Sequence, residues 1–410
     1  MSRRFIACAY KKRYNKCLSK ISLHQVLQGH ETKSVLNTSL LSRGRFIFEN
    51  FMIESMSTST LSGDSIDENA FAIEDVSGAI EDYFFEGAEK LLEIWFDKKQ
   101  AGATSLRNIP YSELVAMLDI AHCHILHSKS NECMDSYVLS ESSMFVSDFR
   151  IVLKTCGTTR LLHTLRRILH LAKIYCNMDN VISVFYSRKN FMHPERQPYP
   201  HSSFETEVDY LEEHFTGGSA YCIGPQRQDC WFLYTMVTPR AAFTFPEHTL
   251  EILMNGLPDD VLNVFSPSVS KDGNDCRMKS AINTVLPPGI IVHEELFSPC
   301  GYSLNGLIPH SDHYITIHVT PEPNFSYVSF ETNQNALNLN EQMLKVLEIF
   351  RPNKFLLTIF TNELSNEGKE VQKNLWDLKI CGCRRTNLQF LELPTETLVY
   401  AQFERMENMK

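Results

Sequence analysis

The segment Tyr137-Val-Leu-Ser-Glu-Ser-Ser-Met-Phe-Val146 sets a polar, serine-rich stretch between apolar runs that favour β-structure. Together with Phe149–Leu153 it predicts two strands that flank a turn, the first of them at Tyr137–Leu139. The hydroxyl of Ser142 lies within reach of the carbonyl of Glu141, so a strained turn would let this side chain attack its own backbone. Taken alone, the same residues are more typical of a solvated loop.

The hydrophobic pattern elsewhere predicts a strand-rich protein with few helices. The clearest amphipathic helix is Thr158–Cys176, a shorter one is expected at about Glu341–Phe350, and Glu86–Phe96 has helical or mixed spacing. Other apolar runs predict strands at Val181–Tyr186, Trp231–Val237, Ile290–Leu296, Tyr314–Val319, Tyr327–Phe330, Phe355–Phe360 and Leu398–Phe403. Helices and strands do not alternate regularly and no G-x-G-x-x-G occurs. We therefore expect an α+β fold with helices packed on antiparallel sheets rather than a doubly wound parallel sheet.

Composition and charge limit the functions that the chain can have. The 410 residues are 43% hydrophobic and 21% charged, which is ordinary for a globular protein. A formal net charge of -10 argues against a general nucleic-acid binder. The twelve cysteines show no C-x-x-C spacing, which favours free thiols in a reducing compartment. No apolar run approaches the length of about 18 residues that a membrane span needs, so we expect a soluble, cytoplasmic protein.

The first part of the chain differs in composition from the rest. Residues 1–45 are rich in Lys and Arg and contain a single acidic residue, Glu31. This pattern predicts a basic, disordered N-terminal extension and linker over residues 1–70, followed by one globular domain over residues 71–410. An Arg-rich targeting segment and a translated leader, with Met52 or Met56 as the later start, remain open.

Eight further motifs occur along the chain before and after the segment around Ser142. They are Glu86-Gly-Ala-Glu89-Lys-Leu-Leu-Glu93-Ile-Trp-Phe, Lys154-Thr-Cys156-Gly-Thr-Thr159, Tyr186-Ser-Arg-Lys-Asn-Phe-Met192, Asp229-Cys-Trp231, Thr249-Leu-Glu251-Ile-Leu-Met, Pro299-Cys-Gly-Tyr-Ser303-Leu-Asn-Gly, Thr316-Ile-His318-Val-Thr-Pro-Glu322 and Phe325-Ser-Tyr-Val-Ser-Phe-Glu331. In this order and spacing the chain resembles the eukaryotic S-adenosylmethionine decarboxylases, from about Phe84 to at least Pro352. The resemblance implies a four-layer αββα sandwich, with two antiparallel β-sheets flanked by helices.

The resemblance also implies a proenzyme that cuts itself between Glu141 and Ser142. The products would be a small N-terminal (beta) chain and a larger (alpha) chain that begins with a pyruvoyl group made from Ser142. This covalent pyruvate would form a Schiff base with S-adenosylmethionine and accept electrons as CO2 leaves, which yields the aminopropyl donor for spermidine and spermine. By the same resemblance, His318 is the base that takes the Ser142 Cα proton, Ser303 assists ester formation, and Cys156 donates a proton to the substrate.

The protonation state of Cys156 stays open at this point. Cys156 lies just before the predicted helix, which would start near Thr158, and a helix N-terminus favours a thiolate. A proton donor, in contrast, has to carry its proton when it acts.

Two binding sites follow from the resemblance. For S-adenosylmethionine it implies Phe85 and Phe297 against the adenine, Glu322 on the ribose, and backbone groups of Leu139 and Glu141. It also implies that Glu86 and Glu89 are acidic active-site residues that act in catalysis or in the cut. For putrescine as an activator it implies Glu93, Lys154, Phe185, Glu247, Thr249, Glu251 and Glu331. Buried carboxylates without a cation are costly, so a diamine that neutralises them is physically reasonable. Glu247 stands where animal relatives usually have Asp, which leaves the strength of activation open, and a salt-bridge network with Lys154 alone would also explain the cluster.

Other interpretations of the sequence remain. One alternative is an inactive paralogue that regulates a partner decarboxylase. Such a protein would not require Ser142, Cys156, Ser303 and His318, so their presence argues against it. A Ser/His hydrolase built on Ser303 and His318 lacks a convincing acid and the second glycine of G-x-S-x-G. No metal site is expected, because strand alternation would put Cys123 on the opposite face from His122 and His124. The resemblance further implies a homodimer of cut protomers.

Overall fold

The structure is a computed structural model that describes residues 85–238, 245–322, 325–335 and 338–406. The predicted N-terminal extension and the predicted start of the domain at residue 71 lie outside the described residues. Within the described residues the chain forms two antiparallel β-sheets, each with eight strands.

The first sheet is built by the first half of the described chain. Its strands are β1 (Lys90–Phe96), β2 (Ile125–Ser130), β3 (Met134–Leu139), β4 (Ser142–Ser147), β5 (Arg150–Thr155), β6 (Val181–Lys189), β7 (Ser219–Ile223) and β8 (Trp231–Val237). Their spatial order is β2-β3-β4-β5-β1-β6-β8-β7. The strand β1 therefore lies inside the sheet, paired with β5 on one side and β6 on the other.

The second sheet repeats this arrangement. Its strands are β9 (His248–Asn255), β10 (Ile291–Leu296), β11 (Tyr302–Leu307), β12 (Tyr314–Thr320), β13 (Tyr327–Thr332), β14 (Lys354–Asn362), β15 (Cys383–Glu392) and β16 (Glu396–Arg405). Their order is β10-β11-β12-β13-β9-β14-β16-β15, which is the order of the first sheet with eight added to every number. The two halves therefore share one topology, a duplication that the sequence pattern does not reveal.

Helices cover the outer face of each sheet. The α-helices are α1 (Tyr111–Ile120), α2 (Leu165–Cys176), α3 (Phe204–Glu212), α4 (Asp259–Leu262), α5 (Gly273–Lys279), α6 (Leu339–Phe350) and α7 (Asn366–Asp377). The helices α1 to α3 share an apolar core with the first sheet, and α4 to α7 share one with the second. Two smaller clusters, around Trp231 and Phe145, join the inner faces of the sheets. The predicted α+β four-layer αββα sandwich is confirmed.

Strand alternation sorts the side chains between these layers. In β1, Leu92, Ile94 and Phe96 pack in the outer core under the helices, whereas Trp95 packs between the sheets. Of the helical or mixed spacing noted for Glu86–Phe96, the helical alternative is therefore wrong. Both faces of the strand Lys90–Phe96 are covered, so apolar residues occur on both sides of it. The inner faces of the sheets also carry buried charged side chains, including Lys154 on the first sheet and Glu331 on the second, which contact each other.

Two further expectations need correction. The polar turn predicted between Tyr137–Leu139 and Phe149–Leu153 contains an extra strand, β4, all six residues of which are buried. The predicted helix Thr158–Cys176 begins later, as a 3-10 turn at Leu161–Thr164 that leads into α2. None of the helices in the described part of the chain has the length and apolarity needed to span a bilayer.

Candidate active site

Ser142 begins β4 immediately after a two-residue hairpin loop. Leu139 and Ser142 are paired across β3 and β4, so Ser140 and Glu141 alone form the connection. Hairpin loops of this length normally contain Gly or Asn, which tolerate positive φ. Here the positive φ, 142°, falls on Ser142 itself. An L-residue held there stores strain of about 1–3 kcal/mol, and this strain lies next to the Glu141–Ser142 peptide bond.

The hydroxyl of Ser142 contacts two ionisable side chains. Its Oγ donates a hydrogen bond to Glu89 Oε1, 2.6 Å away, and lies 3.2 Å from His318 Nδ1. The same Nδ1 atom is 2.6 Å from Glu89 Oε1. Ser142, Glu89 and His318 therefore form one compact group, although 176 positions separate Ser142 from His318 in the sequence.

The neighbours of His318 on the second sheet fix its ring. His318 Nε2 is 2.7 Å from Ser143 Oγ, which also contacts Asn305 Oδ1 at 2.7 Å. Asn305 in turn donates to the backbone oxygen of Tyr137, so it joins the second sheet to β3. Ser303 lies directly opposite His318 in the β11–β12 ladder and is buried. The structure thus brings Ser303, His318 and Ser142 to the same part of the space between the sheets.

The carbonyl oxygen of Glu141 is held by Cys156. The backbone N–H of Cys156 donates to this oxygen at 2.9 Å, and Cys156 Sγ lies 3.2 Å from it. Burial raises the pKa of the Cys156 thiol well above its ordinary value, and the carboxylates of Glu89 and Glu141 add to the effect. Because the regular helix α2 begins only at Leu165, the expected helix N-terminus is not there to stabilise a thiolate. Cys156 is therefore a protonated thiol at neutral pH.

Glu89 is a stable anion despite its burial. Burial by itself would raise its pKa, but the opposing charges of Lys154 and His318 hold the pKa of this carboxyl well below its ordinary value. Lys154 Nζ lies 3.6 Å from Glu89 Oε2. As an anion in the resting state, Glu89 can hold the Ser142 hydroxyl and stabilise positive charge on His318.

Phe85, which is predicted to bind substrate, and Glu86 lie beside this group, whereas Leu139 is paired directly with Ser142 in the β3–β4 ladder. Phe85 packs against Gly157, where a Cβ atom would come within 3.0 Å of its ring. Glu86 is turned away from Ser142, because its Oε2 accepts the N–H of Met192 at 2.8 Å. Its backbone oxygen accepts the N–H of Gly157 at 2.8 Å, which ties it to the Cys156 loop. Glu86 thus contacts neighbouring loops in this structure.

Two further predicted substrate residues come from the second sheet. Phe297 closes the β10–β11 connection through a hydrogen bond from its N–H to the Gly301 oxygen, 2.9 Å long. Glu322 follows the end of β12, where Gly87 of the first half comes close to Thr320. Burial raises the pKa of Glu322 above its ordinary value. Both residues therefore lie at the β12 end of the site.

A second, acidic cavity opens between the sheets, and six of the seven positions predicted for putrescine line it. These six are Glu93, Phe185, Glu247, Thr249, Glu251 and Glu331. The seventh, Lys154, donates to Glu331 Oε2 at 2.7 Å and lies 3.7 Å from Glu251 Oε1. Lys154 also contacts Glu89, so one lysine connects the acidic cavity to the Ser142 group.

The charge in this cavity is only partly balanced. Arg150 is buried and contacts Glu247 at 3.1 Å and Glu93 at 3.7 Å. Even so, burial raises the pKa of Glu93 to about 7, an effect that Arg150 opposes. Burial likewise raises the pKa of Glu251 to about 7 against the charge of Lys154. Carboxyls with such pKa values indicate a site that lacks positive charge.

The residues around Cys123 do not form the strand that was expected. His122 has a positive φ of 62° in a turn before β2, and Cys123 is buried while His122 and His124 are exposed. Among the described residues, no group of three or more His, Cys, Asp or Glu is arranged to hold a metal ion.

Comparisons with known proteins show the family of the chain. A profile of the family described as Adenosylmethionine decarboxylase matches residues 82–404. The chain belongs to this family. An Onchocerca volvulus protein named S-adenosylmethionine decarboxylase proenzyme is 87% identical over 353 residues, which is 86% of this chain and 97% of the relative. A Caenorhabditis elegans protein of the same name is 56% identical over 328 residues, 79% of this chain and 89% of the relative.

A solved structure of the family agrees with the fold. It is described as a Trypanosoma brucei AdoMetDC-delta26 monomer, and it matches with a TM-score of 0.50 and 25% sequence identity over 64% of this chain and 99% of that chain. Membership of the adenosylmethionine decarboxylase family confirms the predicted activity, the decarboxylation of S-adenosyl-L-methionine, and none of these relatives favours the inactive paralogue.

The structure adds residues to the candidate site that the sequence did not predict. Ser143 contacts His318, and Asn305 contacts Ser143. At the acidic cavity, Arg150 is a buried cation in addition to Lys154, and Glu396 lines the wall. Asn305 stands two positions after Ser303, and this spacing on a strand is the signal that could have placed both on one face. For Arg150 the only available signal was a charged residue within an otherwise apolar strand.

Proposed function

We propose that this decarboxylase makes its own cofactor by cutting the chain between Glu141 and Ser142, which leaves a pyruvoyl group at position 142. The observation that carries the proposal is the strained Ser142, whose hydroxyl contacts Glu89 and His318 while Cys156 holds the Glu141 carbonyl. Nucleophile, base and oxyanion donors are therefore assembled around one peptide bond.

The first step is a transfer of the Glu141 acyl group from nitrogen to oxygen. Ser142 Oγ forms a bond to the Glu141 carbonyl carbon as Glu89, which already accepts its hydrogen bond, takes its proton. Negative charge then develops on the Glu141 oxygen, to which the N–H and S–H of Cys156 already donate. Breaking the Glu141–Ser142 C–N bond leaves an ester and a free amine on Ser142. The release of backbone strain at Ser142 favours this direction.

The second step is an elimination. His318 takes the Cα proton of Ser142, the Cβ–Oγ bond breaks, and the chain that ends in the Glu141 carboxylate is released from position 142. The dehydroalanine that remains isomerises to an imine, and water replaces its nitrogen as ammonia to leave the keto group. Glu89, held ionised beside His318, stabilises the imidazolium that forms when the ring takes the proton. Ser303, opposite His318, assists ester formation.

In turnover the pyruvoyl group supplies an electron sink for the loss of CO2. The chain's own residues bind and protonate. Cys156, a thiol at neutral pH, donates a proton to the substrate carbon, a role that its raised pKa supports. Phe85 and Phe297 offer aromatic faces to the adenine and Glu322 accepts from the ribose hydroxyls. Leu139 and Glu141 contribute backbone groups, and Glu86 holds the loop at Met192 next to the Cys156 loop.

The acidic cavity supports activation by putrescine. A diamine there would stabilise the ionised form of carboxyls whose pKa burial raises to about 7, and Lys154 would pass the change in charge to Glu89. The homodimer of cut protomers and the cytoplasmic location stay predictions from the sequence.

The experiment that tests the cut is the intact mass of the purified protein. We expect two fragments that divide at Glu141/Ser142, the larger with a blocked, carbonyl-bearing N-terminus. Ser142→Ala should give a single uncut chain without activity. His318→Ala should stop at the ester, so that its mass equals that of the uncut chain until hydroxylamine splits it. An uncut wild-type chain with full decarboxylase activity would rule out the proposal.

A further inference from the structure

One wall of the acidic cavity is formed by a residue outside the predicted putrescine set. Glu396 is the first residue of β16, is 8% exposed, and lines the cavity together with Glu93 and Glu247. Strand alternation puts it in phase with Leu398 and Tyr400, which pack between the two sheets. Its carboxylate therefore belongs to the inner face of the second sheet.

The Glu396 carboxylate has no counter-charge. Within the described part of the chain, no hydrogen-bond donor or cation is paired with it, and the ionisable groups that act on it most, Glu93 and Glu247, are both acidic. Burial, strengthened by these two carboxylates, raises its pKa to about 8. Arg150 is already occupied by Glu247 and Glu93. A buried carboxyl that faces a cavity without a partner indicates a missing positive charge.

The cavity walls also specify what kind of cation fits. Phe185, Trp231 and Phe360 line it beside the carboxylates, and aromatic faces suit an alkylammonium ion with an apolar chain. Carboxylates lie in two groups, one with Arg150 and one with Lys154. Each group holds more carboxylates than cations, so each can accept one further positive charge. A ligand that satisfies both groups therefore has two positive charges joined by an apolar spacer that contacts the aromatic side chains.

We propose that Glu396 is a ligand of the activating diamine, and that it takes one ammonium group together with Glu93 and Glu247 while the other lies towards Glu251 and Glu331. This inference rests on the proposed diamine activation and adds to it the residue that selects a dication. A monoamine could satisfy only one of the two carboxylate groups. Glu396 would therefore set the preference for a diamine over a monoamine of equal length.

The test measures binding of 1,4-diaminobutane and n-butylamine by isothermal titration calorimetry to wild-type protein and to Glu396→Gln at pH 8. A hydrogen-bonded charge pair in a buried site corresponds to an affinity change of about 10- to 100-fold. We expect Glu396→Gln to bind the diamine weaker by that factor and the monoamine nearly unchanged. Glu396→Asp, which keeps the charge, should retain the preference for the diamine. Glu392→Gln, exposed at the end of β15, is the matched control and should bind as wild type.

A pH series separates binding from a structural effect. Gln cannot ionise, so the ratio of the two dissociation constants for the diamine should grow between pH 6.5 and 8.5 as Glu396 loses its proton. The titratable and charged groups around the cavity are Glu93, Arg150, Lys154, Glu247, Glu251 and Glu331. They are present in both proteins, so their titration cancels in the ratio to first order. A ratio that does not change with pH would indicate a structural role and overturn the inference.

The outcomes distinguish this inference from the function on which it rests. If wild-type protein binds the diamine and Glu396→Gln binds it equally well, Glu396 is not a ligand and only the inference fails. If wild-type protein binds no diamine at all, the proposed activation fails, and the inference with it.

Discussion

Cys156 Sγ lies 3.2 Å from the backbone oxygen of Glu141, and the Cys156 N–H donates to the same oxygen at 2.9 Å. This oxygen belongs to the peptide bond that is proposed to break. The residue proposed as proton donor in turnover is thus already placed in the precursor as an oxyanion donor. One thiol would serve two reactions, and its raised pKa suits both, because both need a bound proton.

Cys156→Ala should therefore affect cleavage as well as turnover. The backbone N–H remains, so we expect cleavage to slow by roughly 10- to 100-fold rather than stop. Once cut, the variant should have lost at least about 100-fold in kcat, since the proton donor is missing. Denaturing gels over a time course of in vitro translation measure the cut. Cys133→Ala, outside the site, is the control, and cleavage of Cys156→Ala at the wild-type rate would show that the thiol does not stabilise the oxyanion.

Glu89→Gln should block cleavage, because it removes the anion that contacts both Ser142 and His318. We expect a loss of at least about 100-fold in the cleavage rate, typical for a group that assists proton transfer. Glu86→Gln is the matched control: its side chain faces the loop at Met192, and its precursor should still be cut. The reverse pattern, with Glu86→Gln uncut and Glu89→Gln cut, would contradict the assignment.

The acidic cavity predicts a pH-dependent stability. Folding raises the pKa of Glu93 from 4.5 to about 7 and that of Glu396 from 4.5 to about 8. Between 4.5 and these values the native protein binds more protons than the unfolded chain, so the free energy of unfolding should fall as the pH rises through this window. A diamine replaces the missing charge and should raise the melting temperature more at pH 8 than at pH 6.

Differential scanning fluorimetry with and without 1,4-diaminobutane measures this effect. A Glu93→Gln/Glu396→Gln double variant is the control, since it should show a weaker dependence on pH and a smaller shift with diamine. A shift that is equal at pH 6 and pH 8 in wild-type protein would argue against titrating carboxyls in the site.

Arg150→Met should destabilise the protein strongly. It would leave Glu247 and Glu93 without their buried partner and remove the contact of the guanidinium with the Trp95 ring, 4.6 Å away. Breaking a buried ion pair on one side costs about 3–5 kcal/mol of unfolding free energy. Urea unfolding in the uncut Ser142→Ala background measures it on a single chain. Arg351→Met, whose partner Asp260 is exposed, should cost at most about 1 kcal/mol, and equal effects would contradict the burial argument.

The pattern along the chain predicts the elements of this fold better than their arrangement. The strand Trp231–Val237 has the same bounds in prediction and structure. Its run of apolar, aromatic and β-branched residues strongly favours a buried strand. The strand β4 was read as a turn, since Ser142 and Ser143 are polar and only the opposite sheet explains why they are buried. Helices such as Asn366–Asp377, with few apolar residues, were missed because polar sequences give a weak period.

For the site, too, the sequence predicts single residues better than their arrangement. Spacing cannot bring Ser142 to His318 across 176 positions, and only the resemblance to a family paired them. Arg150 and Glu396 carry no motif, and their importance depends on which charges the facing sheet presents. A lone charged residue at a buried strand position becomes informative only when its partners across the layer are known.

The position of β1 has a consequence for the cut protein. The short piece that would end at Glu141 contains β1, β2 and β3, and β1 is hydrogen-bonded on both edges to strands of the long piece. The two polypeptides could not dissociate without breaking the backbone hydrogen bonds in the middle of the first sheet. Glu89, on the short piece, would stay beside His318 on the long one. Maturation would thus convert one polypeptide into two that share one sheet, and the two would separate only when the protein unfolds.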